Sequence, residues 1–73
     1  GGEISEKAFG EQLRSLRSSR GWSQEAFAHE AGLDRTYVSG LERGVRNPTL
    51  DVIVRLARTL GVTPADLLAT IKE

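Results

Sequence analysis

Apolar side chains along this chain return at steps of three and four residues and nowhere alternate with polar ones at a step of two. Phe9, Leu13 and Leu16 form one such series, Phe27, Ala28 and Ala31 a second, and Val38 and Leu41 a third. Leu50, Ile53, Val54, Ala57 and Leu60 form a fourth, and Leu67, Leu68 and Ile71 a fifth. Steps of that size keep side chains on one face of an α-helix, whereas a half-buried strand needs strict alternation. The chain therefore reads as helices alone.

Residue chemistry at the boundaries separates them. A hydroxyl or carboxylate just before a helix accepts one of its free N–H groups, and a glycine just after it takes the left-handed turn that ends it. Ser5, Ser23, Asp34, Thr49 and Thr63 stand in the first position, and Gly21, Gly32, Gly44 and Gly61 in the second. Ile4 with Phe9, and Trp22 with Phe27, have the spacing of an apolar staple across a helix start. Pro64 sits at the first helical position, where its missing N–H does no harm, and Asp66 completes a capping box with Thr63. Pro48 steers Asn47 out of helix. These signals predict helices over residues 5–20, 23–31, 34–43, 49–60 and 63–72, packed as an all-α, compact five-helix bundle in one domain of residues 5–73. Residues 1–4 are expected to be a disordered N-terminus or a scar of expression, given Gly1-Gly2.

The second and third helices are joined only by Gly32, Leu33 and the Asp34 cap, which forces a sharp angle and makes a helix-turn-helix. In the third helix, at about 100° per residue, Arg35, Thr36, Ser39, Gly40 and Arg43 fall within about 140° of arc, opposite Val38 and Leu41. That stripe has two arginines, two hydroxyls and no acid. Arginine can bind guanine O6 and N7 in two places, and threonine can offer a hydroxyl or set its methyl against that of thymine. Arg35 and Thr36 lead the base-reading set because the helix reads with its N-terminal residues, and Ser39 joins them. The alternative is a plain solvated face. Gly40 costs about 1 kcal/mol against alanine inside a helix; its expected compensation is that the helix backbone can sit closer to a groove.

Phosphate contacts are expected from Ser23 and Gln24, where the second helix opens with free N–H groups that favour an anion. Arg43, Arg46 and Asn47, leaving the third helix, are expected to add to them. Asn47 before proline is equally ordinary turn chemistry. Tyr37 lies between the two faces and either aims its hydroxyl at a phosphate or serves as a boundary aromatic. Trp22 reads as a core residue and His29 as a solvated one.

The set Arg17, Gly21, Ser23-Gln24, Ala28, Gly32, Leu41-Glu42, Gly44 and "NPTL" at 47–50 resembles the phage-repressor and Cro-type (XRE-like) helix-turn-helix regulators, from about Phe9 to Leu68. The run "LDRTYVSGLERGVRNPTL" is also similar to the controller proteins of restriction–modification systems. The resemblance implies a lambda-repressor-like fold and a transcriptional regulator that binds double-stranded DNA. It also implies that Gln24 grips the backbone and that Arg17 pairs with Glu42 as a structural ion pair.

Composition sharpens this. The formal net charge of the 73 residues is zero, which is not the basic footprint usual for a DNA-binding domain. Locally, however, Arg35, Arg43 and Arg46 face Glu42 alone between residues 35 and 47, and pairing with Arg17 would silence that acid. Glu25, in the first turn of the second helix, is the acid that fits least. The chain has no cysteine and a single histidine, so no metal site or cofactor is expected, and no small-molecule ligand. No apolar run reaches the length of a membrane span, and the absence of cysteine suits a reducing cytoplasm, which is the expected location. Ser23, His29, Asp34 and Thr36 are too dispersed for catalysis, and no enzyme is expected.

One recognition helix reads few base pairs, so a homodimer on a palindromic operator is expected, with half-sites about 34 Å apart. Val52, Leu56, Leu67, Leu68 and Ile71 are the expected dimer surface, on the fourth and fifth helices as the resemblance implies. The competing reading is an antitoxin or other protein-interaction module on the same fold.

Overall fold

A computed structural model describes the backbone of residues 2–72 and the side chains of residues 5–72. It contains five helices: α1 (Gly2–Ser19), α2 (Gln24–Ala31), α3 (Arg35–Arg43), α4 (Leu50–Leu60) and α5 (Pro64–Leu68). No strand occurs among the described residues. The four interior caps form as their chemistry dictates. Ser23, Asp34, Thr49 and Thr63 each accept a backbone N–H from the first turn of their helix, and Thr63 and Asp66 close a reciprocal capping box.

Two boundaries differ from the sequence expectation. Helix α1 begins at Gly2, so residues 2–4 are helical and Ser5 lies inside the helix instead of capping it. With no glycine or proline between Glu3 and Phe9, nothing interrupts the helix upstream of Ser5. Gly1 and the side chain of Ile4, and with it the first staple, lie outside the described residues. Helix α5 stops at Leu68 instead of running to residue 72. Beyond it, Ile71 N donates to Leu68 O (3.1 Å) and the Thr70 hydroxyl donates to Ala8 O of α1 (3.3 Å). The last residues thus bond to α1 and to their own turn in place of a helical ladder.

The core is made by Phe9 and Leu13 of α1, Phe27, Ala28 and Ala31 of α2, Val38 and Leu41 of α3, Leu56, Ala57 and Leu60 of α4, and Leu67 of α5. Trp22 packs on it, its ring tilted against Phe27 with centroids 6.3 Å apart, as its staple position implies. Helix α1 lies against α3 and α5, α2 against α3 and α4, and α4 against α5. At the α1–α3 crossing Gly10 is buried, and a Cβ there would overlap the carbonyl oxygens of Leu41 and Glu42. The two backbones touch because Gly10 has no side chain. Sequence patterning gave no sign of this contact.

Helix α4 is rotated from its expected setting. Its apolar residues cover about 200° of arc, more than one core face can bury. The core takes the middle of that arc, Ile53, Leu56, Ala57 and Leu60, and leaves Leu50 75% and Val54 36% exposed at one edge. Leu50 and Val54 are therefore surface residues. Leu56 and Leu67, expected on a dimer surface, are 0% exposed and belong to the core.

Candidate nucleic-acid interface

The angle between α2 and α3 is set by three residues. Gly32 ends α2 at φ 71°, a left-handed conformation that favours glycine. Leu33 packs inward, and the Asp34 carboxylate accepts the Thr36 N–H at 3.0 Å to open α3. Val38 and Leu41 then anchor α3 in the core, so its opposite side faces out. Arg35, Thr36 and Arg43 are exposed there and Ser39 is half-buried. The Arg43 guanidinium lies by the Ser39 hydroxyl, Nε to Oγ 3.4 Å.

Glu42 is the one acid of α3, and it does not join this face. It is 8% exposed and receives Arg17 in two places, Nε at 2.6 Å and Nη2 at 3.0 Å. Arg17 Nη1 donates in turn to Trp22 O at 2.7 Å, tying α1 to the segment that leads into α2. Gln24 Nε2 makes a third bond to Glu42, at 2.9 Å, which no spacing along the chain foretells. The ion pair therefore also sets the side chain that opens α2. Its bonds leave no buried side-chain nitrogen or oxygen without a partner among the described residues. The outward stripe consequently presents arginines and hydroxyls with no acid of α3 among them, and the acid beside it is the Asp34 cap.

Gly40 is not on the outward stripe. It is buried, because the turn after α3 folds back over it: Val45 N and Arg46 N both donate to Gly40 O, at 3.0 and 3.2 Å. A Cβ on Gly40 would meet Arg46 Cγ at 2.6 Å. The Arg46 guanidinium carbon sits 5.6 Å from the centre of the half-buried Tyr37 ring, a cation–π arrangement. A side chain here would push Arg46 aside. The expectation of open space for a groove is corrected accordingly. Helical-wheel geometry misplaced Gly40 because it treats a helix as isolated, and the cover comes from residues beyond its end.

The remaining site residues lie where their elements put them. The Ser23 hydroxyl oxygen accepts Ala26 N at 3.1 Å, so this residue is at work as a cap. Asn47 is exposed beside Pro48 on the rim of an apolar groove whose walls include Phe9, Ile53, Leu68 and Ile71. Glu25 and His29 are exposed on α2. Thr36 donates its hydroxyl to Asp34 Oδ1 at 2.9 Å, the same oxygen that takes its N–H. The Thr36 N–H, and after it the Thr36 hydroxyl, hold the Asp34 carboxyl below its ordinary value of 3.8.

No helix of the described residues is long and apolar enough to cross a membrane, and no group of three or more acidic, histidine or cysteine side chains is placed to hold a metal ion.

Residues 13–67 match the helix-turn-helix family HTH_3. The control protein C.BamHI of Bacillus amyloliquefaciens is 49% identical over 61 residues, covering 82% of this chain and 75% of its own. The crystal structure of the restriction–modification controller protein C.AhdI of Aeromonas hydrophila superposes with a TM-score of 0.83 at 48% identity, over 85% of this chain and 94% of that one. The structure of SinR, a master regulator for biofilm formation, in complex with DNA superposes with a TM-score of 0.79 at 28% identity, over 82% of this chain and 97% of that one.

Proposed function

This chain belongs to the helix-turn-helix family HTH_3, and on that ground we propose that it is a transcriptional regulator that binds double-stranded DNA with α3 in the major groove. One observation carries the reading. The exposed face of α3 holds Arg35, Thr36, Ser39 and Arg43, while its single acid is buried under Arg17. Such a face offers the donors that base edges and phosphates accept.

Arg35 and Thr36, at the helix start, read bases, and Ser39 lies one turn further along. Gln24, held by Glu42, keeps a second amide N–H and its carbonyl free at the opening of α2, where the helix dipole also favours a phosphate. Arg43 and Arg46 add positive charge at the other end of α3, and Ser23, Tyr37 and Asn47 complete the backbone contacts. The protein acts by binding DNA in the cytoplasm and carries out no reaction on it. Kinship with C.BamHI and C.AhdI supports a controller role in a restriction–modification system.

The regulator acts as a homodimer on a palindromic operator. The surface that supports this is Leu50 and Val54, on one edge of α4, with Leu68 39% exposed and the half-buried Ile71; Val52, also half-buried, lies on the opposite edge of α4 and is left out of it. These residues lie on α4, α5 and the segment after α5. Selection of bound duplexes from random DNA tests the whole reading. The expected product is a sequence with two-fold symmetry and half-site centres one helical turn apart, about 34 Å. Recovery of unselected sequence would overturn it.

A further inference from the structure

We propose that Thr36 reads its base with the side-chain methyl, because its hydroxyl already donates to Asp34. The assignment rests on the DNA reading above and narrows what one residue of that face can recognise. A threonine in the major groove can donate its hydroxyl, accept with it, or place its methyl against that of thymine. The structure separates these options. Asp34 Oδ1 receives both the Thr36 N–H, at 3.0 Å, and the Thr36 hydroxyl, at 2.9 Å.

A hydrogen bond to an ionised acceptor is about twice as strong as one between neutral groups. The Asp34 carboxyl is moreover held in its charged form by these same bonds. Turning the hydroxyl towards a base would give up that bond and leave the cap with the N–H alone. The bond also fixes the side-chain rotation of Thr36, because its oxygen must point back to Asp34. The hydroxyl can now only accept, and its oxygen is turned back to Asp34; the group this exposed residue is left to offer a base is the methyl, whose match in the major groove is the C5 methyl of thymine. Asp34 is therefore a positioning residue for recognition as well as a cap, and Arg35 beside it is left as the hydrogen-bonding partner for a neighbouring base.

The test uses the duplex selected by the wild-type protein and replaces its thymines one at a time by uracil, which lacks only the methyl. For the wild-type chain, one thymine per half-site should lose about fourfold in affinity, the worth of one buried methyl group. Thr36→Ser keeps the hydroxyl and drops the methyl, so its preference for thymine over uracil at that position should vanish. Thr36→Val keeps the methyl and drops the hydroxyl, so the preference should persist whatever its overall affinity. Loss of the preference in Thr36→Val, its survival in Thr36→Ser, or indifference of the wild-type chain to uracil at every thymine would each overturn the assignment while leaving DNA binding intact. If no duplex is selected at all, the DNA reading fails and the assignment with it.

Discussion

Arg17 and Glu42, 25 positions apart in sequence, meet as a two-point ion pair, with Nε–Oε2 at 2.6 Å and Nη2–Oε1 at 3.0 Å, and both side chains largely buried. Removing one partner of such a pair leaves an uncompensated charge in the interior and costs about 3–5 kcal/mol. Glu42→Ala should therefore lower unfolding free energy in urea by about that amount, and more than it changes which sequence is bound. An unfolding midpoint equal to that of the wild-type chain would contradict the buried pair.

Gly40→Ala would raise stability by about 1 kcal/mol if helix propensity alone decided. Here the new Cβ would stand 2.6 Å from Arg46 Cγ and 3.6 Å from Arg46 Cβ. The gain should be absent in the wild-type background and appear in an Arg46→Ala background, where only the ordinary contact is left. A double-mutant cycle by thermal melting reads this coupling, and additive effects would show that Arg46 does not cover the glycine.

Arg35→Ala should weaken binding by about 1–3 kcal/mol and relax base preference at one position of each half-site. Arg46→Ala should instead weaken all sequences alike and reduce the slope of log affinity against log salt by about one. Binding titrations on the selected duplex and on a scrambled one, at several salt concentrations, separate the two. A selective loss on Arg46→Ala would place Arg46 on a base.

Leu68→Glu puts a charge on the exposed apolar surface and should dissociate the proposed dimer without unfolding the chain. Leu56→Ala opens a cavity in the core and should cost about 2–5 kcal/mol of stability. Sedimentation at micromolar concentration together with circular dichroism distinguishes these outcomes. A Leu68→Glu protein of unchanged mass would remove α5 from the interface.

Asp34 titrates below 3.8 in the folded chain, so it stabilises the fold fully above that pH and loses the contribution as pH falls through its lowered value. The stability difference between wild type and Asp34→Ala should hold constant at neutral pH and shrink in acid below 3.8. A difference that grows on acidification would reverse the sign of the capping effect.

Much of this was legible from the residues. Caps at Ser23, Asp34, Thr49 and Thr63 and stops at Gly32, Gly44 and Gly61 are local chemistry, and local chemistry is what a sequence shows directly. The Arg17–Glu42 pair came from family likeness, since nothing in spacing joins residues on different helices. What failed were the judgements that depend on neighbours. The wide apolar arc of α4 does not say which part the core will claim, so Leu56 and Leu50 exchanged places. Gly40 looked exposed on its own helix and is covered by Arg46 from the following turn. The Gln24–Glu42 and Thr36–Asp34 bonds were invisible for the same reason: they depend on side-chain rotations fixed only by packing.

Gly10 carries a consequence for how discrimination is achieved. Because the α1 and α3 backbones are in contact there, the pitch of α3 is fixed by its scaffold and cannot be adjusted a degree at a time to suit a site. On the DNA reading, misfit must then be absorbed by the duplex. Easily kinked steps between the half-sites would lower the energy of docking at positions no side chain touches.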